Sequence, residues 1–329
     1  MARMARRILV AGMASGVALP GILRAQAALP MRVVVPAARG EPLDSLARLL
    51  ADRLIPFLGR AMVVENRIGA GGLTAAEAVA TAPPDGTVIG ILGAATLCAA
   101  PAVHGRTGFD PLRELRPVTQ ITDTAVVLAM ESARAQARGW ADLPAVLAWA
   151  KANPEAIRIA HAGVGTESHL VLAALAEAAE VAIAEVPARD SAAADLVAGE
   201  VDGAADLPAG LLPQIAAGRA LPLGVSSRRR LAPLPDVPAF AEYAELGLGG
   251  IDLRGWSMVM APAATPDGEV QRLSFAIRRV ASHPEFAPVL RRPGYAVALS
   301  VSPEAAAQML AEERSKWRRL VELSGAAAN

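Results

Sequence analysis

The stretch MRVVVPAARGEPLDSLARLLADRLIPFLGRAMVVENRIGAGG, residues 31–72, decides the fold class. Its valine-rich start, Met31–Val35, is typical of a strand that is buried on both faces of a sheet. Apolar residues then recur at three- and four-residue steps over residues 46–57, which predicts an amphipathic helix capped by Asp44 and ended by Gly59. A strand followed directly by such a helix indicates an α/β protein.

The alternation of strand and helix continues beyond this stretch. The pattern predicts a strand at 62–64, a helix that ends near residue 82 after the glycine loop 69–72, and a strand at 88–92. A second series begins near Ala125. Its predicted strands are 126–128, 157–160, 181–186, 201–205 and 221–225, and its predicted helices are 143–153, 168–179, 191–198 and 211–216. We therefore expect two α/β units.

The last part of the chain predicts a return to the first unit. Three prolines at 233–238 indicate an extended linker, and a long strand at 256–260 follows it. Helices at 269–282 and 303–324 are predicted after that strand. Two lobes joined by more than one crossing leave a cleft at the strand ends, where α/β proteins commonly hold a small ligand.

The composition excludes several classes of protein. Of the 329 residues 53% are hydrophobic and 3% aromatic, and 32 basic residues balance 32 acidic ones. The apolar content excludes a disordered chain, and the lack of a basic, aromatic-rich surface argues against a nucleic-acid partner. Cys98 stands alone and the four histidines lack the spacing of a zinc site, so we expect no disulfide within the chain and no metal site.

The N-terminus has the three parts of a secretory signal peptide. Three arginines within the first seven residues precede an apolar run at 8–23, and Ala25-Gln26-Ala27 supplies small residues for cleavage. We therefore expect residues 1–27 to be removed after Ala27, and the four arginines lost with them leave a mildly acidic chain. A permanent anchor is the weaker alternative because the apolar run is short and contains glycine and proline. The paired arginines also leave a twin-arginine export route open.

Two glycine-containing loops follow the first two predicted strands. The loop 36–44 carries charges of both signs, and its backbone amides at a helix N-terminus can receive an anion. An ordinary turn capped by Asp44 is the alternative interpretation. The loop 65–72 lacks the third glycine and the acidic residue of a dinucleotide fingerprint, so nucleotide binding is not expected there.

A third loop, residues 161–169, combines two glycines with the hydroxyls of Thr166 and Ser168. Freed backbone and short neutral donors suit a carboxylate or a carbonyl group. The competing hypothesis is an exported serine hydrolase in which Ser168 is the nucleophile and His169 or His161 is the base. The Gly-x-Ser-x-Gly sequence typical of such enzymes is absent around Ser168, which disfavours that hypothesis.

A fourth loop, residues 186–191, places Arg189 at a predicted helix N-terminus, and Asp206 ends the next strand. The helix dipole disfavours a cation at that end unless the cation faces an anion. A ligand anion is one explanation, and pairing with the neighbouring Asp190 is another. Both interpretations stay open at this point.

An ordered set of motifs along the chain resembles a known family. The motifs are VVVP at 33–36 with Gly40 and Asp44, VVENRIGAGG at 63–72, PDG at 84–86, FDP at 109–111, AGVGTESHL at 162–170, VP at 186–187, LVAGEV at 196–201 and LPDVP at 234–238. The most specific are the Glu-Asn-Arg loop and the LPDVP linker. The set resembles the tripartite tricarboxylate transporter receptors, which are Bug-type periplasmic solute-binding proteins, over essentially the whole mature chain.

The resemblance implies a two-lobed, type II-like Venus-flytrap fold with a ligand cleft between the lobes, no catalysis and no cofactor. One lobe is expected to contain residues 28–123 and 256–329, and the other residues 124–255, with a hinge where the chain crosses. Family members hold small organic acids and pass them to a membrane permease. A monomeric periplasmic receptor with a small-molecule ligand and transient permease partners is therefore implied, and a ligand-presenting partner of a membrane sensor kinase is an alternative with the same fold.

The resemblance also implies which residues line the cleft. They are Arg39, Gly40, Glu41, Asp44, Ala94, Ala95, Thr96, Gly163, Gly165, Thr166, Ser168, His169, Ala188, Arg189, Asp190 and Asp206. The sequence departs from the usual family pattern where Arg39-Gly40-Glu41-Pro42 replaces a glycine-rich stretch and Ala188-Arg189-Asp190 replaces Tyr-Lys-Gly. We therefore expect Arg39 or Arg189 to contact the ligand directly, because a guanidinium offers a carboxylate two parallel donors.

Overall fold

Two β-sheets organise the fold in a computed structural model that describes residues 30–105 and 109–327. The predicted signal peptide, residues 1–27, lies outside the described residues. The strands are β1 Met31–Val35, β2 Met62–Asn66, β3 Val88–Gly93, β4 Leu115–Ala125, β5 Val127–Glu131, β6 Arg158–His161, β7 Ala184–Pro187, β8 Gly203–Asp206, β9 Ala220–Val225, β10 Arg254–Pro262 and β11 Ala296–Val297.

Helices pack on both sheets. They are α1 Pro42–Leu58, α2 Leu73–Ala80, α3 Ala100–Val103, α4 Pro111–Glu114, α5 Ser132–Arg138, α6 Leu143–Ala152, α7 Glu167–Ala179, α8 Ala192–Val197, α9 Pro208–Ala216, α10 Asp267–Ala281, α11 Phe286–Arg291 and α12 Pro303–Leu323. Within the part of the chain that the structure describes, no helix has both the length and the apolar character needed to cross a bilayer.

The strand order divides the chain into two α/β units. The first sheet has the order β11-β4-β10-β3-β1-β2 and the second the order β7-β6-β8-β5-β9. β1 pairs in parallel with β2 and β3, and β6 pairs in parallel with β7 and β8, as βαβ connections require. The chain leaves the first sheet after β4 and returns to it with β10. The predicted α/β, two-lobed fold is confirmed.

Local sequence signals account for most helix ends. Gly59 ends α1 in the left-handed conformation, with a φ of 65°, as its position predicted. Asp142 caps α6 by accepting a hydrogen bond from the Ala145 amide at 2.9 Å, also as predicted. The prediction that Asp44 caps α1 is wrong, because Pro42 already begins the helix and Glu41 precedes it. Proline is favoured in the first turn because its missing N–H has no helical partner there.

The longest strand, β4, was not predicted from the sequence. Its eleven residues include Pro117, Gln120 and Asp123, so they show neither a continuous apolar run nor a regular alternation. Long-range pairing explains the strand: β4 lies between β10 and β11 and pairs antiparallel with both. Two register shifts in the pairing with β10 accommodate its irregular sequence.

Hydrogen bonds connect the two segments that cross between the sheets. Ser226 accepts a hydrogen bond from the Val126 amide at 3.0 Å and donates its hydroxyl to the Leu253 carbonyl at 2.5 Å. Beside them, Arg254 and Asp123 form an ion pair at 2.8 Å. Burial raises the pKa of the Asp123 carboxyl, while the charge of Arg254 opposes that rise. Both crossings therefore pass through one point of the molecule.

The C-terminal helix α12 packs on both units. It contacts β4 of the first sheet and helix α7 of the second unit. On its buried face the carboxylate of Glu313 accepts hydrogen bonds from two indoles, from Trp317 at 2.8 Å and from Trp256 of β10 at 3.1 Å. Because Glu313 satisfies two buried N–H groups at once, it fixes α12 against the first sheet.

Candidate functional site

A cavity of about 760 Å³ lies between the two units. Its walls are the loops that follow β1, β2, β6, β7 and β8, together with the ends of β3, β4 and β8, the start of β10 and residue 295. These loops meet because parallel strands bring their carboxyl ends to the same edge of a sheet. The lining residues are Pro36, Ala37, Glu41, Pro42, Leu43, Ile68, Gly69, Ala70, Gly71, Gly72, Gly93, Thr124, Ala162, Thr166, Glu167, Ser191, Asp206, Leu207, Ala209, Gly210, Gly255, Trp256, Ser257 and Tyr295.

Several helices present their N-terminal ends to this cavity. The first residues of α1 and α9 and the start of α7 belong to the lining, and the glycine turn 69–72 leads directly into α2. The partial positive charge of a helix N-terminus and its unpaired amides suit an anionic group. The cavity therefore offers positive potential from backbone groups alone.

The glycine turn can form only without side chains. Gly72 has a φ of 93°, and a Cβ on it would lie 2.2 Å from the Thr96 hydroxyl oxygen. That hydroxyl in turn donates to the Gly71 carbonyl at 3.1 Å. Thr96 therefore holds the turn against the first sheet, and the missing side chain lets the backbone face the cavity.

Three carboxylates line the cavity, and each accepts a hydrogen bond from the backbone. Glu41 accepts from the Ala38 amide at 3.0 Å, Glu167 from the Ala95 amide at 3.3 Å and Asp206 from the Leu207 amide at 2.7 Å. Among residues 30–105 and 109–327, no lysine, arginine or histidine forms an ion pair with any of the three. The Glu167 contact also joins the two units, since Ala95 follows β3.

Backbone amides offset the negative charges of Glu167 and Asp206 only in part. Burial raises the pKa of Glu167, and it raises the pKa of Asp206 to about 6 with a further contribution from the charge of Glu167. Burial also raises the pKa of the Tyr295 hydroxyl, to which the same two carboxylates add. No cationic side chain belongs to the described lining, so the site has negative side chains on a positively polarised backbone.

The structure places three of the sixteen predicted residues in the lining: Glu41, Thr166 and Asp206. Arg39 and Arg189 are exposed and lie outside it. Neither arginine forms an ion pair with the neighbouring acid in the described chain. Glu41 accepts a hydrogen bond from the Ala38 amide, and no ion pair joins Arg189 to Asp190. Contact of either arginine with a ligand stays a prediction, and the geometry gives it no support.

The other predicted residues lie around the cavity without belonging to its lining. Asp44, Ala94, Thr96, Ser168 and His169 are buried. Asp44 accepts hydrogen bonds from the Gly40 amide, the Asn66 amide group and Arg48, at distances from 2.7 to 3.0 Å. The remaining predicted residues outside the lining are Gly40, Ala95, Gly163, Gly165, Ala188 and Asp190. Asp44 and Thr96 therefore support the loops that the cavity uses.

The contacts of Ser168 are those of a residue that stabilises its loop. Its hydroxyl oxygen accepts from the Ala162 amide at 2.9 Å and lies 3.2 Å from the Thr166 hydroxyl. The described contacts of His161 and His169 do not include this hydroxyl. The serine–histidine contact that the hydrolase hypothesis needs is therefore not formed here.

His161, His169 and Glu185 bring three potential metal ligands within 4.8 Å of one another. Each histidine accepts a loop amide through its Nδ1 atom, His161 from Gly163 at 3.2 Å and His169 from Gly165 at 3.1 Å. A neutral imidazole that accepts at Nδ1 carries its proton on Nε2, so no lone pair is left there for a metal. This arrangement fits a loop support better than a metal centre.

Glu167 is the charged cavity residue that sequence reasoning missed. It lies between Thr166 and Ser168 in the third loop, and it begins α7, where an acidic residue is common for capping reasons alone. The available signal was its position in a loop already assigned to the cleft. Trp256, Ser257 and Tyr295 enter the lining from β10 and the segment before β11, which the sequence did not connect with the cleft.

Two sheets joined at crossing segments, with helix N-termini around a cavity between them, define a two-lobed solute-binding protein of the periplasmic type. Residues 46–326 match the family model described as "Tripartite tricarboxylate transporter family receptor". The chain belongs to this family. The family predicted from the ordered motifs is thereby confirmed.

Known relatives cover nearly the full length of the chain. The "UPF0065 protein in tcbD-tcbE intergenic region" of Pseudomonas sp. strain P51 is 33% identical over 327 residues, which cover 98% of this chain and 95% of that protein. MatC from Rhodopseudomonas palustris, solved with bound malate, has a TM-score of 0.74 at 29% identity, covering 89% of this chain and 98% of that one. Another R. palustris protein, solved with adipate, has a TM-score of 0.78 at 26% identity, covering 91% and 98%.

Proposed function

We propose that the protein is an extracytoplasmic receptor that captures a small organic acid or a related carboxylated metabolite for a tripartite tricarboxylate-type transporter. The cavity between the two units carries this proposal, because helix N-termini and a glycine turn surround a space large enough for such a molecule. Two similar proteins were solved with malate and adipate, which are carboxylates. The receptor acts as a monomer without catalysis or cofactor and passes its ligand to permease subunits in the membrane.

Closure of two lobes is the mechanism that we propose. Residues 28–123 with 256–329 form one lobe and residues 124–255 the other, so that both crossing segments, near 122–124 and 253–255, act as the hinge. A ligand that contacts both lobes stabilises the closed state by its differential contacts. The hydrogen bond between Glu167 and the Ala95 amide is one contact that already spans the two units. The permease then recognises the closed form.

Calorimetry against a panel of organic acids that includes malate and adipate tests the proposed function. At least one carboxylate should bind, and ligand at a hundred times its Kd should add about 2.7 kcal/mol to the free energy of unfolding. Ala209→Phe should abolish this binding because the ring would fill the cavity. Ala217→Phe, on an exposed position at the end of the same helix, is the matched control. Loss of binding in both variants, or binding in neither the parent nor the variants, contradicts the proposal.

We further propose that the chain is exported to the periplasm and cleaved after Ala27. The arginines, the apolar run 8–23 and the Ala-Gln-Ala sequence support this. Intact mass of the protein purified from the periplasm should match a chain that starts at Ala28. A mass that includes residues 8–23 would show that the segment is retained as an anchor.

A further inference from the structure

The side chains of the cavity carry charge of one sign only. Glu41, Glu167 and Asp206 line it, and the described lining contains no lysine, arginine or histidine. A buried carboxylate without a cationic partner is costly, because desolvation is offset only by hydrogen bonds. A receptor for a simple dicarboxylate would have to bring two further negative charges into this space. The acids therefore bear directly on the chemistry of the ligand.

Helix N-termini compensate these acids only in part. Glu41 precedes one helix and Glu167 begins another, and the hydrogen-bond donors of all three acids are backbone amides. If the helix dipoles were sufficient, these carboxyls would ionise more readily than usual. The pKa of Glu167 and the pKa of Asp206 are instead raised by burial, and Asp206 is raised further by Glu167. The protein supplies no counter-charge within the described lining, so a ligand can supply it.

Two of the acids and the glycine turn reach the cavity from different units. Glu167 and Asp206 belong to the second unit, at the start of α7 and the end of β8. The turn 69–72 lines the cavity from the first unit and contributes no acidic side chain, whereas Glu41 precedes α1 there. Tyr295 lines the cavity as well, and its hydroxyl forms no hydrogen bond within the described residues. The two acids of the second unit therefore suit a cation, and the backbone of the glycine turn suits an anion.

We propose that the ligand carries a protonated amino group together with its carboxylate, and that Glu167 and Asp206 bind the amino group while the backbone of the glycine turn 69–72 faces the carboxylate. This inference rests on the proposed function and assigns its substrate class. The ligand is an amino carboxylate, and the amino group neutralises carboxylates that the protein leaves uncompensated.

Calorimetry on the mature protein with matched ligand pairs tests this assignment. The pairs are succinate and aspartate, glutarate and glutamate, and adipate and 2-aminoadipate, which differ only in the amino group. At least one amino member should bind ten-fold or more tightly than its partner. Glu167→Gln and Asp206→Asn should each reduce that affinity ten-fold or more. Asp236→Asn, an exposed acid in the linker outside the cavity, should leave it unchanged.

The pH dependence gives a second readout. Because the Asp206 carboxyl has a raised pKa of about 6, it becomes protonated as the pH falls from 7 to 5 and loses its attraction for an ammonium group. Affinity for the amino ligand should fall over that interval, and the fall should be smaller in Asp206→Asn, in which Glu167 is the remaining carboxylate of the pair with a raised pKa.

The outcomes separate the inference from the proposed function. Binding of the plain dicarboxylates as tightly as their amino counterparts, or tighter binding after Glu167→Gln, overturns the inference and leaves the receptor function intact. If no member of the pairs binds, the inference is overturned, and if the wider panel of organic acids also fails, the proposed function falls with it.

Discussion

Replacement of Glu313 by alanine is expected to lower the free energy of unfolding by about 2–4 kcal/mol. The carboxylate accepts hydrogen bonds from the indole N–H groups of Trp256 and Trp317, both of which are buried. Alanine would leave two buried donors without an acceptor, and each unsatisfied donor costs roughly 1–3 kcal/mol. Urea unfolding at pH 7 measures the change as a shift of the midpoint.

Two further variants serve as controls for the Glu313→Ala measurement. Glu313→Gln keeps a carbonyl oxygen that can accept from an indole, so its loss should be smaller than that of the alanine variant. Glu312→Ala removes an exposed carboxylate from the same helix and should change stability by no more than about 0.5 kcal/mol. A Glu313→Ala loss equal to that of the neighbouring control would show that the two indoles do not depend on this residue.

Asp44→Ala is expected to destabilise the fold by about 1–3 kcal/mol, since the hydrogen bonds of a buried carboxylate are lost. Asp44 is 1% exposed and joins the Gly40 amide, Arg48 and Asn66. Urea unfolding measures the loss. Asp52→Ala, which removes an exposed acid of the same helix, should change stability by about 0.5 kcal/mol or less.

The same carboxylate makes stability depend on acid pH. Hydrogen bonds from Arg48 lower the pKa of Asp44 from 3.8 to about 2. Its contribution is therefore fully present above pH 4 and is lost as the pH falls toward 2, because protonation is easier in the unfolded chain. Asp44→Asn should flatten the loss of stability between pH 4 and pH 2. An unchanged acid profile in that variant would contradict the role assigned to the ionised form.

The sequence predicts the parallel strands and their helices well because their signals are local. Valine-rich runs such as Met31–Val35 and caps such as Asp142 act within a few residues of themselves. β4 was missed because its stability comes from pairing with β10, which follows more than 100 residues later. Periodicity within a short window contains no information about such a partner.

The cavity was predicted less completely than the fold. Its loops were found, since each follows a predicted strand, but the side chains that point into it were not all found. Asp44 turns into the interior to bond Arg48 and Asn66, whereas Glu167, two residues from the expected Gly165, faces the cavity. Which side of a loop a residue faces depends on the backbone path through glycines, and spacing alone does not determine it.

The position of β10 in the first sheet also bears on how the chain acquires its structure. β10 lies between β3 and β4 and pairs with both. These two earlier strands therefore cannot join one sheet until residues 254–262 have been synthesised. The second unit is synthesised between β4 and β10. The pairing that completes the first sheet therefore joins segments that are far apart in sequence. Contacts of such long separation slow folding. Late completion of the first sheet therefore keeps the chain unfolded for longer, and the export that we propose would benefit from this if it uses a channel for unfolded chains.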